Sequence, residues 1–347
     1  MPPSRPFRLG FFTHLPGAAA HPGEIYRRTL DLFQAADELG YDSGWVAQHH
    51  FQPDEGRLPS PLLYLAAVAE RTSTLRLGTA VMMLGAEDPV RVAEDASVLD
   101  ALSGGRLELG VGTGSDDSVL AAFGLSADDR RARYSLHLER LGHALTGKSL
   151  VTGQDGPVLE PPAEELHTRL WESTLRPQSG WDIGSRGNGL LLARAAFMSS
   201  DPTDVDQRRV ADAYLRAFAG SPAASRGATP RIGLSRTVFP AADRRSALAQ
   251  LADGTESYAR DMVKHGWFPA GLDLEGYLRR AHAHYGHPEE VAASLAADLL
   301  LPDTTELIVQ VQPGTPTFDE ILRVLELIAN EVVPSLRERL SHTPILA

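Results

Sequence analysis

Apolar positions in this chain recur in two alternating rhythms. Short and nearly continuous apolar runs, Phe7 to Thr13, Ser43 to Gln48, Leu75 to Leu84 and Arg106 to Gly112, read as strands covered on both faces of a parallel sheet. Between them lie longer segments with apolar residues three and four apart. Ile25, Leu32, Ala36 and Leu39 align on a helix from Glu24 to Gly40. Val92, Ala96, Leu99 and Leu102 align on another, opened by Asp88-Pro89 and stopped by Ser103-Gly104-Gly105. Ser60-Pro61 reads as an N-cap with proline in the first turn, and Ser126-Ala127-Asp128-Asp129 as a capping box ahead of a helix over Arg130 to Thr146.

The alternation continues to the end of the chain. Strands are expected at His167 to Ser173, Gly189 to Ala193, Arg231 to Phe239 and Glu306 to Gln312. Helices are expected from near Pro177, over Asp204 to Ala219 and over Pro288 to Leu300, with a last one capped by Thr317-x-x-Glu320. Eight strands, each with its helix, predict an α/β fold of the (β/α)8 TIM-barrel type with insertions in the βα loops. A doubly wound open sheet is the competing architecture. The expected organisation is one domain over residues 1–347, with insertions at about 113–129 and 241–285, the latter read as helical turns.

Composition narrows the chemistry. The 347 residues are 43% hydrophobic and 22% charged, enough for a sizeable core. The net charge of -12 disfavours nonspecific binding to nucleic acid or to an anionic membrane surface. Cysteine is absent, which excludes disulfides, thiolate nucleophiles and Cys-ligated metal sites. Without an apolar leader or a run of membrane-spanning length, the expected location is cytoplasmic.

The strand Trp45-Val46-Ala47-Gln48 ends in His49-His50-Phe51, delivering imidazoles to the end of a buried strand. Neighbouring strand residues point to opposite faces, so His49 and His50 are not expected to share one role. In a barrel, ligand chemistry gathers at the carboxyl ends of the strands. His14, His49, His50, Gly112 to Ser115, Thr174 to Ser179, Arg194 and Gln310 to Pro313 all fall there.

Gly110-Val111-Gly112-Thr113-Gly114-Ser115 lacks the G-x-G-x-x-G spacing of a dinucleotide turn and is not followed at once by a helix. It reads as a tight turn or a place of close ligand approach. At Thr174-Leu175-Arg176-Pro177-Gln178-Ser179, a helix start beside a guanidinium suits a phosphate monoester, with an ordinary capped helix as the alternative. His282-x-His284-x-x-His287 reads as a surface histidine cluster, since i and i+2 share no helical face, no carboxylate nearby completes a ligand set and Pro288 begins the next helix. A metal hydrolase built on His14 and His49 finds no ligand set at strand ends three to five, so no metal is expected. No G-x-S-x-G elbow is present.

These residues together resemble the bacterial-luciferase-like family of flavin monooxygenases, over nearly the whole chain. The marks are Arg8-Leu9-Gly10-Phe11-Phe12, Gly40 to Trp45 running into His49-His50-Phe51, Leu58 to Pro61, Arg76 to Val81, Asp88 to Asp95, Leu99 to Arg106, Pro288 to Val291 and Gln310 to Gly314. The resemblance implies a barrel whose mouth takes reduced FMN from a separate NAD(P)H-dependent flavin reductase. O2 then yields a flavin peroxide that oxygenates a small organic substrate, aldehyde-like or otherwise apolar. His49 matches the family's catalytic histidine. Thr79, Ala80 and Val81 match the strand that carries a non-prolyl cis peptide against the flavin. Gly112 and Thr113 match the turn beside it, with Thr113 where luciferase has arginine, so that Arg176 is the substitute cation. Ser179 matches a phosphate-binding hydroxyl, and His14, Arg194 and Gln310 are expected in the substrate or flavin pocket. Gln48 stands where the family often has Glu. A homodimer is implied. Two alternatives share the barrel: a deazaflavin (F420)-dependent oxidoreductase, and a flavin-binding protein without turnover.

Overall fold

The structure is a computed structural model that describes residues 7–15, 21–51, 56–114, 116–151, 153–197, 199–311 and 317–341. Eight strands recur along the chain: β1 (Arg8–Thr13), β2 (Ser43–Val46), β3 (Arg76–Thr79), β4 (Leu107–Gly112), β5 (Leu170–Ser173), β6 (Gly189–Leu192), β7 (Ile232–Pro240) and β8 (Glu306–Gln310). Every intervening connection carries helix, and the fold is the (β/α)8 barrel. Among the described residues no helix is long and apolar enough to cross a membrane.

The chain divides into two compact units. One comprises Met1–Phe12, Glu38–Asp42 and Thr174–Ala347, and the other Thr13–Asp37 and Ser43–Ser173. In the first, the last strand lies beside the first: β8 pairs in parallel with β1, Val309 opposite Phe11, and on its other edge with β7, Ile308 opposite Ser235. The outer layer packs Tyr214 and Phe218 of helix Thr203–Ala219 against Leu190, Leu192, Ile232 and Leu234 of β6 and β7. Helix Phe318–Leu327 begins with the expected capping box, in which Glu320 and Thr317 satisfy each other's backbone N–H groups.

In the second unit β2, β3, β4 and β5 pair in order, all parallel. Trp45 lies flat on Gly78 of the neighbouring strand, where a Cβ would come within 2.1 Å of the indole. The indole meets Trp171 edge to face at 5.8 Å. Glu108 is buried between them and satisfied twice, by Trp171 Nε1 at 2.7 Å and by Arg76 Nε at 2.5 Å. A buried carboxylate without such partners would cost several kcal/mol.

Several boundaries differ from the sequence pattern. The third apolar run is not one strand: it breaks after Thr79 at a cis Ala80–Val81 peptide and resumes as the two-residue strand Met82–Met83. Ser60 makes no side-chain cap bond. Asp129 precedes helix Arg130–Leu145 in helical geometry without capping it, while Ser126 Oγ accepts from Asp128 N in a turn. Loop 113–129 holds a short helix, Asp117–Ala122, capped by Asp116. Region 241–285 is more regular than expected, with helix Arg244–Lys264 capped by Asp243, helix Leu274–Arg280 and strand His284–Gly286. Its buried stripe is Ala247, Leu251, Gly254, Thr255, Ala259 and Met262, mostly small residues that give a weak apolar rhythm.

The histidine triplet is also corrected. His284 is buried, His287 caps helix Pro288–Ala296, and His282 donates from Nε2 to a carboxylate remote in sequence, Asp298, at 3.0 Å. His282, His284 and Asp298 bring ligand-type atoms within 4.8 Å of one another. Asp298 Oδ2, however, is already taken by fully buried Arg236 at 2.7 Å, and Oδ1 accepts from Leu300 N at 2.8 Å. Burial would raise this carboxyl, but Arg236, together with the hydrogen bonds, holds it far below the ordinary range. The group is an ion-pair core in which the guanidinium supplies the positive charge.

Burial, reinforced by His282 and Arg236, pushes His284 down to about 3 from 6.5. The folded chain therefore leaves this imidazole neutral where the unfolded chain protonates it. Its contribution to stability is fully present above pH 6.5 and is lost as pH falls from there toward 3, at about 1.4 kcal/mol per pH unit. Urea unfolding midpoints at pH 7.5 and pH 5 are expected to differ less in His284→Gln than in the parent; an equal difference would remove His284 from the acid sensitivity.

Candidate active site

The second unit contains a cavity of about 210 Å³ lined by His14, Ala47, Gln48, His49, His50, Ala80, Val81, Met83, Gly114, Asp116 and Val119. His14 follows β1, and the histidine pair follows β2. His14 Nδ1 and His49 Nε2 lie 3.0 Å apart, a hydrogen bond in which one ring donates its N–H to the other. His49 N donates to Leu58 O at 3.0 Å, and Gly56 packs so closely that a Cβ there would lie 2.8 Å from His49 Cδ2 and 2.6 Å from His14 O. Burial lowers the His49 pKa and the neighbouring His50 lowers it further; burial also lowers His50, with Glu87 pulling the other way. Both imidazoles are neutral at pH 7. His50 Nε2 is buried and finds no partner.

Gln48 is the brace of this segment. Its Nε2 donates to Glu87 Oε1 at 2.8 Å and to Pro59 O at 3.0 Å, and its Oε1 accepts from Met83 N at 2.6 Å. An acidic residue here would face Glu87 with like charge, which gives the amide a physical reason. Opposite stands the cis Ala80–Val81 segment that the resemblance implies. Thr79 holds it from one side, its buried hydroxyl donating to Gly110 O at 2.8 Å and accepting from Gly110 N at 2.9 Å. What Thr79 brings is therefore support rather than a free hydroxyl.

The glycine turn is explained by the same segment. A Cβ on Gly112 would lie 2.6 Å from Val81 Cγ2, and one on Gly114, at φ +73, 2.3 Å from Met83 Sδ. Thr113 Oγ1 donates to Gly114 O at 3.2 Å. Ser115 and residues Gln312 to Gly314 lie outside the described residues.

The first unit holds the other predicted residues. Arg176 is the exposed N-cap of helix Pro177–Arg186, and Ser179 is half-buried in its first turn. Arg194 stacks its guanidinium 4.4 Å from the Tyr258 ring and keeps Nη1 buried and unpartnered. Gln310 ends β8, and its buried Nε2 is likewise unpartnered. His14, His49, Ala80 and Val81 are thus brought into one cavity, with Gly112 directly behind Val81. Gly56, Met83, Asp116 and Val119 were missed by the sequence reading. Only Gly56, which follows Pro53-Asp54-Glu55 in the sequence, carried a local signal.

A parallel β/α barrel with paired imidazoles at its strand ends defines the class as a barrel enzyme of the kind that works at the carboxyl ends of its strands. The family model described as luciferase-like monooxygenase matches residues 7–305, and the chain belongs to that family. The 4-hydroxyprotoasukamycin monooxygenase of Streptomyces nodosus subsp. asukaensis is 39% identical over 142 residues, 41% of this chain and 38% of that protein. The first curated relatives are thus matched over less than two thirds of their own length. Among solved structures, the monooxygenase RslO1 from Streptomyces bottropensis superposes with a TM-score of 0.80 at 25% identity, covering 94% of this chain and 99% of its own. The oxygenating constituent of 3,6-diketocamphane monooxygenase from Pseudomonas putida, solved in complex with FMN, shares the fold at a TM-score of 0.78 and 18% identity, with 95% and 99% covered.

Gln48→Leu is expected to lower the unfolding free energy by about 1–3 kcal/mol, because it strands Met83 N and Glu87. Gln48→Glu is expected to lose more stability at pH 7 than at pH 4, since the two facing carboxylates repel only when both are ionised. Urea titrations at the two pH values check both, and an unchanged midpoint in Gln48→Leu would remove the brace.

Proposed function

We propose that this chain is the oxygenating component of a two-component FMN-dependent monooxygenase acting on a small, uncharged organic substrate. The observation that carries the reading is the hydrogen-bonded His14–His49 pair in a cavity walled by Ala80, Val81 and Met83, in a chain of the luciferase-like monooxygenase family. The reading includes O2, a separate NAD(P)H-dependent flavin reductase, a cytoplasmic location and a homodimer.

The residues fit the cofactor. Arg194 Nη1 and Gln310 Nε2 are buried donors without partners, and FMN is rich in acceptors. Within the first unit, Arg176 and the first turn of helix Pro177–Arg186, with Ser179, have the chemistry that a phosphate monoester requires; within the second, Ala80, Val81 and the Gly112–Thr113 turn have the chemistry that a planar ring requires. When bound, reduced FMN supplies the two electrons that activate O2. Neutral His49 takes up and returns a proton at Nε2, with His14 Nδ1 as its partner and His14 half-exposed toward solvent. Gln48 and Leu58 hold the imidazole in place while this happens.

Anaerobic titration with reduced FMN and with reduced F420, followed by admission of ¹⁸O2 in the presence of alkanals, cyclic ketones and terpenes, tests the reading. Binding of FMN and one ¹⁸O atom in a product are expected; preference for F420 or absence of label would overturn it. His49→Ala is expected to lower turnover about 100-fold or more while leaving FMN affinity within about threefold. Because burial lowers the His49 pKa, the acidic limb of the rate–pH profile is expected below the ordinary imidazole value of 6.5.

A further inference from the structure

Three rings gather beside the cavity. His50 and Phe51 continue the chain from His49, and Phe123 arrives from the end of helix Asp117–Ala122. His50 meets Phe123 edge to face at 5.0 Å and 83°, Phe51 lies 5.7 Å from His50, and the two phenylalanines are 5.8 Å apart at 40°. His50 itself lines the cavity, so the cluster is continuous with it. Phe51 is 71% exposed and Phe123 41% exposed.

Core packing does not account for Phe51. Its backbone is left-handed, φ +62, a conformation disfavoured for a bulky residue, and its ring is mostly in water. Strain and exposure together at the rim of a cavity point to a ligand. The cavity lining contains no Lys or Arg among the described residues and one carboxylate, Asp116, so an anionic ligand is disfavoured. The interior wall beyond the rings is apolar: Met83 and Val119 line the cavity and pack with Leu120, Ala86 and Leu125.

We infer that His50, Phe51 and Phe123 form an aromatic clamp at the cavity rim that selects a neutral, ring-bearing substrate over an open alkyl chain. This rests on the monooxygenase reading for the reaction but not for the binding. Rings offered at tilted and perpendicular angles favour a planar partner through edge-to-face and offset contacts that a flexible chain does not make. The alkyl chain also loses more rotamer freedom when held. His50 is thereby a substrate-positioning residue rather than mere packing, and Phe51 and Phe123 are determinants of specificity.

Calorimetric titration with 2-naphthol and with n-decanal, using the full chain and its Phe51→Ala/Phe123→Ala double variant, tests the clamp. Sedimentation and FMN binding are measured on the same samples. The clamp predicts that 2-naphthol binds more tightly than decanal and weakens about tenfold or more in the double variant, while decanal changes less than threefold. Equal losses for both ligands, or no loss for 2-naphthol, overturn it. A parent dimer that becomes monomeric in the double variant also overturns it, because the rings would then belong to a contact between copies. A parent chain that binds FMN but shows no preference for 2-naphthol counts against the clamp alone; a parent chain that shows the preference but does not bind FMN counts against the monooxygenase reading alone.

Discussion

Val81 lies against the Cα of Gly112 and Met83 against that of Gly114, at distances that leave no room for a Cβ on either glycine. The rest of the site depends on this contact. It lets the chain leave β3 at Thr79, turn through Ala80 and Val81, and rejoin the sheet at Met82, opposite Val111. Met83 N then meets the Gln48 side chain, and Gln48 in turn sets the course of the segment that carries His49. A larger residue at either glycine would displace the wall and, through Gln48, the imidazole facing it. Trp45 on Gly78 repeats the device between β2 and β3, the strands that lead into the histidine segment and the Ala80–Val81 wall.

Polar groups in the interior follow a second rule: charge is buried only where it is matched. Glu108 is held by Arg76 and Trp171, and Asp298 by Arg236, His282 and Leu300 N. Unpartnered buried donors remain at several positions, among them Arg194 Nη1 and Gln310 Nε2, which a cofactor with many acceptors would satisfy. Burial disfavours the charged form of His49 and His50, and a neutral imidazole accepts at one ring nitrogen while it donates at the other.

Much of this was legible from spacing. The alternation of apolar runs with helical stripes carried the eight β/α units, Thr317 and Glu320 marked a real capping box, and the strand before His49 pointed to the cavity. Other features left no local trace. An apolar run reads the same whether it is one strand or a strand broken at Ala80–Val81. Helix Arg244–Lys264 buries mostly small side chains, so its rhythm is faint. The Ser126–Asp129 pattern had the composition of a capping box but formed a turn, because Ser126 Oγ found Asp128 N first.

What the sequence by itself determined is the order of elements and the kinds of side chain placed at strand ends, since both follow from local periodicity and from the geometry of one strand or helix. What only the tertiary structure decided is which of those side chains meet. His14 and His49 are 35 residues apart and share a hydrogen bond. His282 takes its carboxylate from Asp298, and Gln48 finds Glu87 and Met83. Each pairing depends on strand register and on close approach at a few glycines. These are properties of neighbouring strands, and no stretch of the chain encodes them alone.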